Sequence, residues 1–393
     1  MESYVINGQT VTRETVVAEG NSLILRKGRG TLLSAKLMLF ALLNMEYRTN
    51  KIYSQRELQY YKKLLDDTGV DYSKGIVSEI SVSDLRRVLK KEKSGSFYSS
   101  IKELFSMDPY EGKSLRNSWA IMMPDPNSGI LGYAEIIIAT HLVNGRIFIK
   151  FNEEKRIKDQ IFKDKEKCTD LPFLYMEQQC KSIYSFRLFE ILWYQVSKTD
   201  SVLRANGDDS SPAEYSFRFT IGELQLMFGV LDLTIDKGDG KRLAKTKNPD
   251  YNQIAKLCNE TQSENMFDYR AFRRYSLDVA VNEINSTPTS AFTIEYDVER
   301  DSGSTKIVAI IFHVKKRASY VEPIKNNNKN VNTNDFIVEI AEELKSFSLT
   351  YEELKQIANM AQYDMELVVA AHTIYKKLNI KEHFTQWFMD FSK

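Results

Sequence analysis

The chain is poor in the residues that most often carry chemistry. It has three cysteines in 393 residues, Cys168, Cys180 and Cys258, too few and too far apart for a disulfide framework or a zinc site. They are expected as buried or surface thiols in a reducing cytosol. The four histidines, His141, His313, His372 and His383, are scattered, and there is no His-x-His pair such as a metal-dependent nicking enzyme would need. Gly112–Lys113–Ser114 ends like a phosphate-binding loop, but the glycine required five positions earlier is Met107. The stretch around Asp236–Gly240 misses the spacing of a calcium loop. No cofactor, metal or enzymatic activity is therefore expected. No apolar run approaches the ~20 residues that span a bilayer, and the polar start MESYVINGQT lacks a basic-then-apolar signal. A soluble, cytoplasmic chain without membrane contact is expected.

A large excess of one charge is lacking too. The net charge is +1, so composition does not announce a nucleic-acid partner. Its distribution is uneven, however. From Ser319 to the end there are eight Lys and no Arg against eleven acids, whereas the first 318 residues hold 46 bases and 42 acids. A mildly basic body with an acidic tail is compatible with DNA binding. The length predicts two or three domains.

The patterning predicts an α+β fold of two tandem winged-helix domains, each a helix-turn-helix followed by a β-hairpin wing, with a small helical C-terminal extension. Residues 1–30 mix short β-prone stretches with Gly20, Gly28 and Gly30 and read as an N-terminal arm, and residues 31–155 read as a first winged helix. Within it, TLLSAKLMLFALLNMEYR has helical apolar spacing. SVSDLRRVLK opens with Ser83 as an N-cap ahead of Leu85, Val88 and Leu89. A turn at Ser94–Ser96 leads into the short helix FYSSIKELF. The β-branched runs that follow contain Asn144–Gly145, a strong hairpin signal. This order is the winged form of the helix-turn-helix.

Residues 170–318 repeat the pattern without obvious sequence identity between the halves. A long helix is expected over Leu171–Val196, with a stripe of Ile183, Phe186, Phe189 and Trp193. YSFRFT reads as a strand, IGELQLMFG as a short helix ending at Gly229, and 269–285 as another helix. AFTIEYDVE and KIVAIIFHV read as a hairpin around RDSGST. Leu231–Met266 is polar and is expected as a loop with a short helix near Tyr251–Cys258. Residues 319–335 are an Asn-rich linker, and 336–393 a helical module.

The best candidates for base contact lie on the 269–285 helix. Its apolar stripe is Leu277, Ala280, Val281 and Ile284. Arg270, Arg273 and Arg274 crowd its start, flanked by Tyr269 and Tyr275. Recognition helices present their N-terminal residues to the major groove, where the arginine fork bonds two acceptors on guanine or grips phosphate. On a regular wheel, Arg273 falls near the edge of the stripe and Tyr275, Asp278 and Asn282 lie opposite. The competing reading is a solvated basic helix start, although basic residues there oppose the helix dipole. In the first half, Arg86, Arg87 and Lys90, then Ser96, Ser99 and Lys102, suit phosphate positioning, with an ordinary charged surface as the competing reading. Arg300 and Lys306 at the second wing are candidates for backbone contact.

These segments also carry a resemblance. CKSIYSFRLFEILWYQ, YSFRFTIGELQLMFG, FRRYSLDVAVNEINSTPTSAFTIEYDVE and KIVAIIFHV together resemble the second winged helix of the Rep_3 family, the initiators of iteron-controlled plasmids. GNSLI (20–24), the helix from Thr31 and NGRIFIKFN (144–152) are similar to the family's first domain, so the resemblance covers about residues 20–317. It implies binding to repeated double-stranded origin sequences (iterons), with one winged helix on each of two successive major grooves. It also implies opening of adjacent AT-rich DNA and recruitment of the host initiator and replicative helicase. A monomer–dimer equilibrium would act largely through the first domain, the dimer repressing the chain's own promoter. Arg273 and Arg274 match the family's basic recognition positions. The Leu231–Met266 insertion and the tail after Asn334 have no counterpart. A winged-helix transcriptional regulator without initiator activity is the alternative.

Overall fold

The computed structural model describes residues 3–7, 9–26, 30–48, 51–91, 94–106, 120–124, 131–154, 168–207, 212–233, 243, 248–317, 340–341, 343–344, 347, 349–360, 365–378 and 383–391. The linker expected at 319–335, the Gly112–Lys113–Ser114 stretch and Asp236–Gly240 lie outside these residues. Helices and sheets are mixed, and the chain divides into two compact units. One is Met1–Met45 with Val77–Pro323, the other Glu46–Ile76 with Ile324–Lys393. The five consecutive segments expected from patterning are thus not how these units divide.

In the first unit the opening residues are built into the fold. Strands β1 (Tyr4–Ile6) and β2 (Gln9–Val11) form a hairpin around Asn7, at a left-handed φ of 47°. The Asn7 amide is anchored to the Asn44 side chain and the Glu79 carbonyl, both at 2.8 Å. Strand β3 (Val16–Gly20) pairs antiparallel with β10 (Cys168–Pro172), Val17 facing Leu171. The short helix α1 (Asn21–Ile24) follows β3. An arm expected over 1–30 therefore holds strands, and it buries Ile6, Val11, Val17 and Ile24.

Helix α2 (Leu32–Leu43) starts at a capping box between Thr31 and Ser34 and is buried from Ser34 to Leu43. Apart from Ser34 and Lys36 it is apolar all round, the pattern of a buried helix, and the buried Lys36 donates to the Glu177 carbonyl at 2.5 Å. Strand β5 (Ile76–Ser81) runs into α4 (Val82–Val88). The N-cap is Ser81, whose hydroxyl accepts from the Asp84 amide, two residues before the expected Ser83. Helix α5 (Phe97–Ser106) follows. Strands β6 (Ala120–Pro124) and β7 (Leu131–Glu135) pair with each other. Strands β8 (Ile137–Val143) and β9 (Arg146–Phe151) form the hairpin expected at Asn144–Gly145, and β9 also pairs with β5. Asn144 and Gly145 have φ of 50° and 74°, the two positive values a two-residue primed turn requires.

The helix expected over Leu171–Val196 is not continuous. After β10, α6 (Phe173–Gln179) stops at Cys180, which has an extended backbone. Helix α7 (Ile183–Ala205) restarts at a capping box of Ser182 with Ser185. Strand β11 (Tyr215–Thr220) and α8 (Ile221–Met227) match the pattern, and Gly229 follows α8 at a φ of 71°. Helix α9 (Tyr251–Gln262) is longer than expected and buries Ile254, Ala255 and Cys258. It crosses α8 so closely that a Cβ on Gly222 would lie 2.1 Å from the Tyr251 carbonyl oxygen. Helices α10 (Tyr269–Phe272) and α11 (Asp278–Ser286) are joined by a π-turn, Arg273–Leu277. Strands β12 (Phe292–Arg300) and β13 (Ile307–Lys316) form the second hairpin, with β11 on the other side of β13.

Helix α7 is the platform of this unit. Phe189 packs on Tyr175, Trp193 and Phe292 at ring separations of 4.3, 5.5 and 5.6 Å. The fully buried Arg187 donates to the carbonyls of Met227, Ile24 and Arg26 at 2.9, 2.7 and 3.1 Å, and pairs with Glu190. Arg26 reaches both Glu19 and Glu190, at 3.4 and 3.8 Å. Four buried ionisable side chains thus join the N-terminal segment to α7 and the end of α8. Removing one partner of a buried ion pair costs roughly 3–5 kcal/mol, because the charge it faced stays buried without it.

The second unit holds α3 (Gln55–Thr68), and strand β4 (Met45–Tyr47) lies where the chain passes between units. Arg48 donates to the Tyr61 hydroxyl at 2.8 Å and the Tyr72 carbonyl at 2.9 Å. Three C-terminal helices, α12 (Tyr351–Met360), α13 (Met365–Leu378) and α14 (Phe384–Phe391), surround a core of Ile357, Val368, Ala371, Phe384 and Phe388. No helix among the described residues is long and apolar enough to cross a membrane.

Burial raises the Glu19 carboxyl well above the ordinary carboxylate range; Glu190 adds to this, and Arg26 and Arg187 oppose it. The folded chain therefore holds this proton more tightly than the unfolded chain. The associated stability is full below the ordinary Glu value and is lost as pH rises through the raised one. Glu19→Gln keeps a neutral group there at every pH. Urea titrations should show wild-type stability falling relative to Glu19→Gln as pH rises above the ordinary carboxylate range. A difference that stays flat with pH would contradict this.

Candidate nucleic-acid interface

The start of the 269–286 helix is fixed from several sides. Asp268 caps it, its carboxylate accepting from the Arg270 and Ala271 amides at 2.9 and 3.3 Å. The preceding single turn, Asn265–Phe267, is gripped by the Gln225 amide, which donates to the Met266 and Phe267 carbonyls at 3.3 and 2.6 Å. Phe272 is fully buried against Phe228. Farther along, Leu277, Ala280, Val281 and Ile284 are buried as the stripe predicts. Asn285 exchanges two 2.8 Å hydrogen bonds with the Ile294 backbone, which locks the helix end to β12.

With the apolar side spent inward, Arg270, Arg273, Arg274 and Tyr275 are exposed and Tyr269 is half-buried. Three consecutive exposed residues, 273–275, between buried Phe272 and buried Ser276 reflect the π-turn, which adds a residue to the outward side. The Arg274 guanidinium lies 5.3 Å from the Tyr275 ring centre, a cation–π geometry. Arg273 Nε donates to Asp278 at 3.2 Å, and the Tyr296 hydroxyl donates to the other Asp278 oxygen. Burial raises the Tyr269 hydroxyl, while Arg273 and Arg300 both pull it down. The helix start and the end of β12 therefore share one electrostatic neighbourhood.

On the second hairpin, Arg300 and Lys306 are exposed. Arg300 Nη1 donates across the turn to the Thr305 carbonyl at 3.1 Å, and Gly303 takes the left-handed position at φ 72°. Beside it, Arg218 and Glu299 form a two-bond pair at 2.7 and 2.9 Å.

The first-half candidates separate into two kinds. Arg86 donates to the Lys91 and Ser94 carbonyls at 3.0 and 2.8 Å, so it staples the turn between α4 and α5. Arg87 donates to the Val5 carbonyl and to Asp84, at 2.7 and 2.8 Å, and so holds β1. Both arginines are engaged within the fold. Lys90 is exposed, at a φ of 53°. Ser96, Ser99 and Lys102 are exposed on or just before α5, and Lys102 Nζ lies 5.1 Å from the Tyr98 ring centre. Tyr98 was not among the expected contacts; its place four residues before Lys102 was the available signal. Asp278 and Tyr296 were not expected either, because a regular wheel sets Asp278 away from Arg273. Among the described residues, no group of three His, Cys, Asp or Glu could hold a metal ion.

No family model matches the chain, and no curated protein matches it. Among solved structures, a crystal structure of Pi initiator protein in complex with iteron DNA matches 78% of this chain and 100% of that one. Sequence identity is 17% and the TM-score 0.48. A likeness that loose sets no function for this chain.

Proposed function

We propose that the chain is a sequence-specific double-stranded DNA-binding protein and not an enzyme, and that it initiates plasmid replication at repeated origin sites. The observation that carries the DNA reading is the outward set of Arg270, Arg273, Arg274 and Tyr275 on a helix locked to a β-hairpin. Each arginine offers donors suited to base edges or phosphates, and Arg300 and Lys306 on the hairpin suit the adjacent backbone. In this reading, α8, α9, the 269–286 helix and β12–β13 act as one winged helix, and α4, α5 and β8–β9 as another. Ser99 and Lys102 on α5 then position phosphates for the latter.

The replication role draws on the sequence resemblance to Rep_3 initiators. So do self-association, promoter repression and recruitment of the host initiator and helicase. The DNA-binding parts would serve a transcriptional regulator equally well. A plasmid bearing this gene and its upstream repeats, placed in a suitable host, separates the two. Autonomous replication is expected, and failure to obtain transformants with the intact gene defeats the initiator role.

Binding itself is tested by titration on those repeats and on unrelated duplex. Arg273→Ala and Arg274→Ala should each weaken repeat binding by about 1–3 kcal/mol and change unrelated binding far less. Lys102→Ala should instead flatten the salt dependence by about 0.9 in log–log slope. Equal losses on both DNAs for the arginine variants would contradict base contact by this helix.

A further inference from the structure

Arg273 and Asp278 are five residues apart. In a regular α-helix such residues point about 140° away from each other, and only those three or four apart are neighbours. They meet because of the π-turn. The Asp278 amide donates to the Arg273 carbonyl, an i→i+5 bond, and the same turn brings the Asp278 carboxylate to 3.2 Å from Arg273 Nε. The second carboxylate oxygen is held by the Tyr296 hydroxyl from β12. One carboxylate thus ties the arginine-bearing turn to the hairpin. π-turns set into α-helices recur at functional sites.

We infer that Asp278, held by Tyr296, is a positioning residue that fixes Arg273 for reading a base. The inference rests on the DNA-binding reading above. A carboxylate on a DNA-facing surface repels phosphate and serves DNA directly only by accepting from a cytosine amine; both Asp278 oxygens are already engaged, one by Arg273 Nε and the other by the Tyr296 hydroxyl. The use of Asp278 lies in restricting a long, flexible guanidinium before DNA arrives, so that less rotamer freedom is lost on contact. The pairing also predicts an unusual sign. Removing a negative charge from a DNA-facing surface strengthens binding if charge alone matters, whereas losing a positioning group weakens selective binding.

The test uses the full chain and a duplex that the wild type enriches from a random-sequence pool, with a scrambled duplex of equal length as reference. Tyr296→Phe and Asp278→Ala should each lower the ratio of enriched to scrambled affinity by about tenfold. Scrambled binding should be unchanged in Tyr296→Phe and unchanged or tighter in Asp278→Ala. Pools enriched by Tyr296→Phe should show relaxed preference at one or two adjacent base pairs. If both variants keep the wild-type ratio and show only a lower melting temperature, the pair is a structural staple and the inference fails while the DNA reading stands. If the wild type enriches no sequence, the DNA reading itself falls, and this inference with it.

Discussion

Arg187 is the constraint on which the first unit depends. A buried guanidinium cannot be left without acceptors, and those it has come from three segments: Ile24 and Arg26, Met227, and Glu190 on its own helix. Burial pushes its pKa down to about 10, still high enough to keep it charged near neutrality. Charged and enclosed, it obliges the N-terminal segment, α7 and the end of α8 to keep one arrangement. The 269–286 helix then packs on α7, where Glu283 accepts from the Lys181 amide and the Ser185 hydroxyl at the helix start. The direction of the arginine face is thus inherited from a network far from it in sequence.

The face itself is electrostatically uncomfortable. Three arginines at a helix start repel one another and oppose the positive end of the dipole. Local compensation comes from Asp268 at the cap, Asp278 across the π-turn and the ring of Tyr275. Each partner holds its group in place, and a polyanion laid along the face would relieve the remaining strain.

Much of the fold was legible because local signals decided it. Asn144–Gly145 set a hairpin, Gly229 ended a helix, alternation marked β11, and the turn RDSGST between two β-prone runs marked β12 and β13. The 277–284 stripe identified the buried side of its helix. What was not legible depended on distant partners. Strand β3 lies among stretches that read as β-prone, but its partner β10 comes about 150 positions later, and no local signal names it. The break at Cys180 lies in a run whose composition favours an unbroken helix. It was set by packing and by the Ser182 cap. Arg86 and Arg87 looked like surface cations, yet backbone carbonyls claim them, and nothing in their spacing signals that. The π-turn has no sequence signature at all, so the Arg273–Asp278 pair was hidden even though the arginines were not.

The central claim, that this chain reads a repeated DNA sequence through its 269–286 helix, is tested most directly by a nuclease footprint. The experiment uses the purified chain on DNA upstream of its own gene, with wild type and Arg273→Ala side by side. The account predicts regularly spaced protected blocks for the wild type, lost in the variant at concentrations that still coat unrelated DNA. Uniform protection without blocks, or blocks that persist unchanged in Arg273→Ala, would contradict it.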